Sequence, residues 1–151
     1  MKKLVVAAVV TAATLSGASA AHRACFSKAD LQARAAILFE TNLMVASSSC
    51  HDLTYARFSL RDRLQIIRYQ HEMIAYFRRA GARRPAQRFE SWITQLANED
   101  SAKVAGMRIP DVCRKSAALF KLARSLDPKA LRVYAATLAA KDPVDDPRCR
   151  R

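Results

Sequence analysis

Residues 27–50 read SKADLQARAAILFETNLMVASSSC, and this stretch decides the fold. Ser27 is followed three positions later by Asp30, a spacing typical of a capping box, in which each side chain binds the other residue's backbone N–H. Apolar residues then occur on nearly every side of the helix, which is typical of a helix at the centre of a domain. The stretch therefore predicts a first helix from Ser27 to about Ser47.

Capping and proline signals predict four more helices downstream. These run from Leu53 to Arg79, from Pro85 to Lys103, from Pro110 to Ser125 and from Asp127 to Lys141. Gly81 and Gly106 each follow a predicted helix, where a left-handed C-terminal cap is expected. No stretch alternates in the way a strand requires. The sequence predicts an all-α fold, a disulfide-linked, mostly antiparallel bundle of four to five helices in residues 21–141, with an irregular tail in residues 142–151.

The first 20 residues have the order of regions that is typical of a secretion signal. Lys2 and Lys3 precede an apolar run, and Ala18 to Ala20 has the small-x-small pattern that signal peptidase cuts. The run is shorter than the roughly 18 apolar residues that a membrane span needs. Cleavage after Ala20 would lower the net charge from +13 to +11, because both lysines leave. We expect a protein of the periplasm or the cell exterior.

Four cysteines follow the predicted cleavage site, and an even number in an oxidising compartment predicts two disulfides. Cys25 and Cys50 flank the first helix, which holds its ends about 30 Å apart, whereas bridged Cα atoms lie roughly 6 Å apart. In an up-and-down arrangement, Cys50 lies at the end where the helix bearing Cys113 begins. We therefore expect Cys50 to pair with Cys113, and Cys25 to pair with Cys149 through the tail.

The second predicted helix is apolar on two sides. An aliphatic face carries Leu53, Ala56, Leu60, Leu64, Ile67, His71 and Ile74, and an aromatic face carries Tyr55, Phe58, Ile66, Tyr69, Met73, Tyr76 and Phe77. Such a helix is either central or has one face left over for a partner. We expect the first two helices to form the core pair. If one apolar face is left over, we expect it to form a homodimer with a second copy of the chain.

His71 lies in line with Leu64 and Ile74, so we expect it to be buried and to support packing. Glu40 and Asn42 of the first helix are placed to reach it, which predicts a buried polar pair of Glu40 and His71. One alternative is a small hydrolase or lyase built around these two residues. Another is a carrier of apolar ligands with a cavity between the first two helices.

The remaining polar motifs predict no catalytic residue, metal site or cofactor. The histidines lack H-x-x-x-H and H-E-x-x-H spacing, although His51 and Asp52 adjoin. The serines at 47–49 have no G-x-S-x-G context. Residues 98–100, Asn98, Glu99 and Asp100, either form a small binding site or cap and solvate their helix.

Five arginines crowd the turn between the second and third predicted helices. This arginine turn consists of Arg78, Arg79, Arg83, Arg84 and Arg88. No acidic residue occurs from Met73 to Phe89, so this end of the fold has positive potential. Outside the cytosol, anionic lipid, acidic polysaccharide or an acidic protein is a better candidate than nucleic acid. We expect a non-catalytic binding or interaction protein whose arginine turn contacts an anionic envelope surface or an acidic partner, the alternative being a charged surface that serves solubility.

Three segments carry a resemblance: TNLMVASSSC at residues 41–50, AYFRR at 75–79 and ITQLANEDS at 93–101. With the positions of Cys50 and Cys113, they resemble a group of small secreted bacterial all-helical proteins with paired cysteines. The resemblance implies secretion and an all-helical fold, and it implies no catalytic residue because the group has no established activity. The chain departs from the group at Asp62, where an aromatic residue is usual, and in having Cys149.

Overall fold

The computed structural model describes residues 24–141 and Cys149. These residues contain six helices and no strand, which confirms the all-helical fold class. The helices are α1 (Lys28–Cys50), α2 (Thr54–Arg61), α3 (Arg63–Arg79), α4 (Pro85–Val104), α5 (Ile109–Ser125) and α6 (Pro128–Lys141). The secretion signal and the tail around Cys149 lie outside the described residues.

The start of α1 contains the expected capping box. The Ser27 hydroxyl accepts from the Asp30 N–H at 3.1 Å, and the Asp30 carboxylate accepts from the Ser27 N–H at 2.7 Å. The helix continues past Ser47 to Cys50 and ends where His51 takes a left-handed backbone, with φ 51°. The capping box fixes the first turn of α1 and fully buries a carboxylate there.

The single helix predicted from Leu53 to Arg79 is wrong, because Asp62 divides it into α2 and α3. Aspartate favours helix ends over interiors, and Asp62 here follows one helix and precedes the next. Its carboxylate is buried, and Arg61 contacts it at 2.6 Å. Arg61 also donates to the Ala123 carbonyl at 3.0 Å, so the break is attached to the end of α5.

The other helix ends agree with the sequence to within a residue or two, except at Gly106. The Asp127 carboxylate accepts from the Ala130 N–H at 2.7 Å and caps α6, and Gly81 is left-handed with φ 83°. The left-handed cap expected at Gly106 is wrong. A turn in which the Met107 N–H bonds the Val104 carbonyl at 2.9 Å satisfies the end of α4 without it.

Helix α1 lies at the centre and packs against each of the other five helices. Phe39 on α1 packs edge-on against Phe58, with ring centroids 5.7 Å apart, and against Tyr134 at 5.3 Å. The aromatic face of α2 and α3 is buried through Phe58, Ile66, Tyr69, Met73 and Tyr76. The expected core pairing of the two most apolar segments is therefore confirmed.

Both expected disulfides are present. Cys50 at the end of α1 joins Cys113 near the start of α5, with a Cα–Cα distance of 5.5 Å. Cys25 joins Cys149 with a Cα–Cα distance of 4.8 Å, and the Cys149 N–H donates to the Phe26 carbonyl at 3.0 Å. Two crosslinks thus tie later parts of the chain to the two ends of α1.

None of the helices in residues 24–141 is long and apolar enough to cross a membrane.

Candidate functional site

The arginine turn connects α3 to α4 and is largely open to solvent. The left-handed Gly81 reverses the chain after α3. Pro85 lies in the first turn of α4, where the fixed φ of proline matches the φ of a helix. The side chains that this tight connection presents to water are those of Arg78, Arg83, Arg84 and Arg88. The local backbone signals therefore concentrate positive charge at one surface.

Arg79 belongs to the fold rather than to this exposed set, which corrects the sequence-based assignment. Its guanidinium contacts both carboxylate oxygens of Asp30, at 2.6 and 2.7 Å. The Asp30 side chain is 0% exposed and that of Arg79 is 47% exposed. A buried carboxylate needs a charged or hydrogen-bonding partner, so Arg79 is held against the start of α1.

The other arginines of the turn have no carboxylate partner among the described residues. Arg83, Arg84 and Arg88 line an open depression of about 320 Å³, together with Ala82, Gln87 and Ser91. The Arg88 guanidinium also lies over the Phe77 ring, 5.9 Å from its centroid. That contact orients Arg88 while leaving its charge unneutralised, and the depression is accessible to an anionic group.

An exposed stripe on α3 leads from the arginine turn toward α2. Leu64, His71 and Arg78 recur every seven residues and so share one side of the helix, and Arg68 lies beside them. All four are exposed, whereas the opposite side of α3 is buried. We call these four residues the α3 stripe.

Part of the aliphatic face predicted for the second helix is exposed, although Ile74 of that face packs against the core. Leu60 and Leu64 are each 77% exposed, and Leu53 is 64% exposed. Arg57 and Arg63 are exposed near them. The surface at this end of the α3 stripe is therefore both apolar and basic.

The expected buried pair of Glu40 and His71 is wrong. His71 is exposed on the α3 stripe, and no hydrogen bond or ion pair joins it to Glu40 within the described part of the chain. Only one face of α3 can pack on α1, and the aromatic side occupies that position. His71 is on the opposite side and therefore faces water, as does Asn42 on α1.

Glu40 instead lies in a cleft formed by α1, α3 and α4, with Tyr55 of α2 at its wall. The cleft has a volume of about 290 Å³ and is lined by Ile37, Glu40, Thr41, Met44, Tyr55, Gln70, Phe89, Ile93, Thr94, Ala97 and Asn98. Burial raises the pKa of Glu40 from 4.5 to about 7. Burial also raises the pKa of the Tyr55 hydroxyl, and the nearby Glu40 charge adds to that rise.

The polar residues 98–100 divide between the two roles that the sequence left open. Asn98 lines the Glu40 cleft. Glu99 accepts from the Gln95 amide at 2.8 Å, and Asp100 binds Lys103 at 2.7 Å. Both contacts lie on the solvent-exposed surface of α4. The three residues therefore do not converge on one site.

No group of three or more His, Cys, Asp or Glu side chains among residues 24–141 and Cys149 is placed to hold a metal ion. Asp52 beside His51 is engaged locally, since its carboxylate accepts from the Thr54 N–H at 2.6 Å. Hydrogen bonding to Thr54 lowers the pKa of Asp52. This carboxylate stabilises the start of α2.

No protein-family model, no curated protein and no solved structure matches this chain. The sequence located the arginine turn and singled out Glu40, but it missed the bond between Asp30 and Arg79 and the cleft. Both depend on how α3 and α4 pack on α1. A signal for the first was present, because a carboxylate at the start of a nearly all-apolar helix needs a partner.

Proposed function

We propose that this chain is a non-catalytic binding protein of the periplasm or the cell exterior, built as a mostly antiparallel helical bundle, that contacts an anionic lipid surface. The contact is made by the exposed residues of the arginine turn and by the α3 stripe. One observation carries the proposal: Arg78, Arg83 and Arg84 are exposed and lack carboxylate partners in the described chain, and an exposed stripe joins them to exposed leucines.

The combination of charge and apolar area favours a lipid surface over a purely polar partner. Each basic group near an anionic membrane contributes about 1 kcal/mol, and apolar side chains that enter the interface add about 25 cal/mol per Å² buried. Amphipathic helical surfaces with leucines beside arginines bind membranes by these two terms together. An acidic polysaccharide offers only the charge attraction and no apolar surface, so it does not account for the exposure of Leu60 and Leu64.

A homodimer through the aliphatic face is a second use for these leucines. A twofold contact brings the same surface of two copies together, so Arg57 and Arg63 of one copy would face like charges. That repulsion favours an anionic surface as the partner. The two uses are separated by measuring the oligomeric state.

The two disulfides support the proposed location, because such bonds persist in oxidising compartments. Edman sequencing and intact mass of the exported protein test whether the chain begins at Ala21. Retention of Met1 on a cytosolic species would contradict this location.

The lipid contact is tested by sedimentation with vesicles of phosphatidylglycerol and of phosphatidylcholine. Wild type should sediment with the anionic vesicles and stay in solution with the neutral ones. The triple variant Arg83→Gln, Arg84→Gln, Arg88→Gln should lose most of this binding. The matched control, Lys115→Gln, Lys121→Gln, Lys129→Gln, removes the same charge from α5 and α6 and should bind nearly as wild type does.

Two results would overturn the proposal: wild type that prefers neither vesicle, or a triple variant that binds as its control does. A concentration-dependent dimer that Leu60→Ser with Leu64→Ser abolishes would assign the leucines to self-association. Raised salt should weaken vesicle binding, because screening limits charge attraction to about 8 Å at physiological ionic strength.

A further inference from the structure

The Glu40 cleft contains an unneutralised acid in mostly apolar surroundings. No Lys, Arg or His is among the described residues that line it, and no hydrogen bond or ion pair within the described chain involves the Glu40 carboxylate. Every other deeply placed carboxylate discussed above has a partner: Asp30 binds Arg79, and Asp62 binds Arg61. Among these three carboxylates, Glu40 is therefore the one that lines a cleft and has no charged partner among the described residues.

The walls of the cleft define what can occupy that position. Met44, Phe89 and Ile93 are apolar, while Gln70 and Asn98 add amide groups. A hard metal ion needs several oxygen ligands, and here only one carboxylate is offered. An anion would be repelled. A volume of about 290 Å³ suits a small molecule, at the lower end of the range for ligand sites.

We propose that this cleft binds a small organic ammonium ion, with its charged nitrogen at Glu40 and its apolar body against Met44, Phe89 and Ile93. This site goes beyond the proposed lipid contact and is independent of it. The ammonium group of the ligand would neutralise the Glu40 carboxylate. The apolar body of the ligand would contact the apolar walls of the cleft. Aromatic and thioether side chains are suited to the flat or alkyl body of such a ligand.

The protonation of Glu40 gives the site a pH dependence with a definite sign. Burial raises the pKa of Glu40 to about 7, whereas simple amines remain protonated well above that pH. The only other titratable group that lines the cleft within the described chain is Tyr55, whose raised pKa keeps it neutral. Affinity for the ammonium ion should therefore rise from pH 5.5 to pH 8 as Glu40 ionises.

The probe for this proposal is 2-phenylethylamine, compared with 2-phenylethanol as its neutral analogue. Nuclear magnetic resonance of the Met44 methyl group reports occupancy of the cleft, and calorimetry reports affinity. Wild type at pH 8 should bind the amine at least about tenfold more tightly than the alcohol, a difference of about 1.4 kcal/mol. Glu40→Gln should abolish the preference for the amine.

Two further variants keep the outcome interpretable. Glu90→Gln removes the same charge from an exposed position on α4 and should leave amine binding unchanged. Ala97→Phe fills the cleft and should block both probes, with circular dichroism confirming that the variant is folded. No binding of the amine by wild type at millimolar concentration, or equal affinity for amine and alcohol, would overturn the proposal. Vesicle binding by Glu40→Gln should be unaffected, which separates this site from the lipid contact.

Discussion

Both sides of α3 carry apolar residues, yet the two sides take opposite positions in the fold. Met73 on the aromatic face is 1% exposed, whereas Leu64 on the α3 stripe is 77% exposed. Aromatic rings bury about 150–250 Å² each, more than aliphatic side chains, and they pack edge to face with one another. The side with the larger rings therefore occupies the core, and Leu64 on the other side lies in water.

The sharpest way to break this comparison is to truncate a residue on each side of α2, which carries the start of the same aromatic and aliphatic faces. Phe58→Ala should lower the free energy of unfolding by about 3–5 kcal/mol, because it leaves a cavity against Phe39 in the core. Leu60→Ala, two positions along, should change it by less than about 0.5 kcal/mol. Chemical denaturation with the disulfides intact measures both. Equal losses for the two variants would mean that the aliphatic face is covered.

Between these two sides of α3 lies Gln70, which is half-buried and lines the Glu40 cleft. The pKa of Glu40 in the folded protein is about 7, above the ordinary 4.5, so the native state holds its proton more tightly than the unfolded chain. The free energy of unfolding therefore falls as pH rises through the interval from 4.5 to 7, and at pH 8 it is lower by about 3 kcal/mol.

Glu40→Gln removes this cost. It should raise the free energy of unfolding by about 3 kcal/mol at pH 8 and change it little at pH 4, where the acid is neutral in both states. Thermal melts at the two pH values measure the difference. A variant that destabilises the protein at pH 8 would show that Glu40 has a partner.

The arginine turn contains the same contrast on a smaller scale. Arg79→Gln should lower the free energy of unfolding by about 2 kcal/mol, because it leaves the Asp30 carboxylate buried and unpaired, although the exposed half of Arg79 admits some water. Arg83→Gln and Arg84→Gln should each stay within about 0.5 kcal/mol of wild type. Urea titrations of the three variants make this comparison, and three similar losses would contradict it.

Most of the fold follows from local signals in the sequence. Three helix ends are specified by capping hydrogen bonds or by a left-handed backbone that few residue types can adopt. They lie at Ser27 with Asp30, at Asp127 with Pro128, and at Gly81. The distance between Cys25 and Cys50 along a helix excluded their pairing by geometry. Such signals involve neighbours in the chain and need no knowledge of packing.

Most of the features that the sequence did not predict depend on contacts between distant elements, the local turn at Gly106 being an exception. Periodicity shows that the predicted second helix has two apolar faces, but it does not show which face packs on α1. The prediction that His71 is buried fails for this reason. The break at Asp62 is accompanied by a contact from Arg61 to the end of α5, 62 residues further along the chain. The Glu40 cleft exists because α4 lies beside α1, a placement that no local pattern specifies.

The smallest expected effect on stability is at two exposed leucines, Leu60 of α2 and Leu64 of the α3 stripe. Leu60→Ser with Leu64→Ser should change the free energy of unfolding by less than about 0.5 kcal/mol per site, because both side chains already lie in water. The same double variant should weaken binding to anionic vesicles, measured by sedimentation. A stable variant with unchanged vesicle binding would limit the contact to the arginine turn.

The central claim, that the α3 stripe and the arginine turn meet an anionic lipid surface, is tested most directly at Leu64. Leu64→Trp in a Trp92→Phe background places the only indole of the chain on the stripe. Its fluorescence should shift to shorter wavelength with phosphatidylglycerol vesicles, remain unchanged with phosphatidylcholine vesicles and return toward its original wavelength as salt is raised. An emission spectrum that anionic vesicles leave unchanged, or that both vesicles shift equally, would contradict the account.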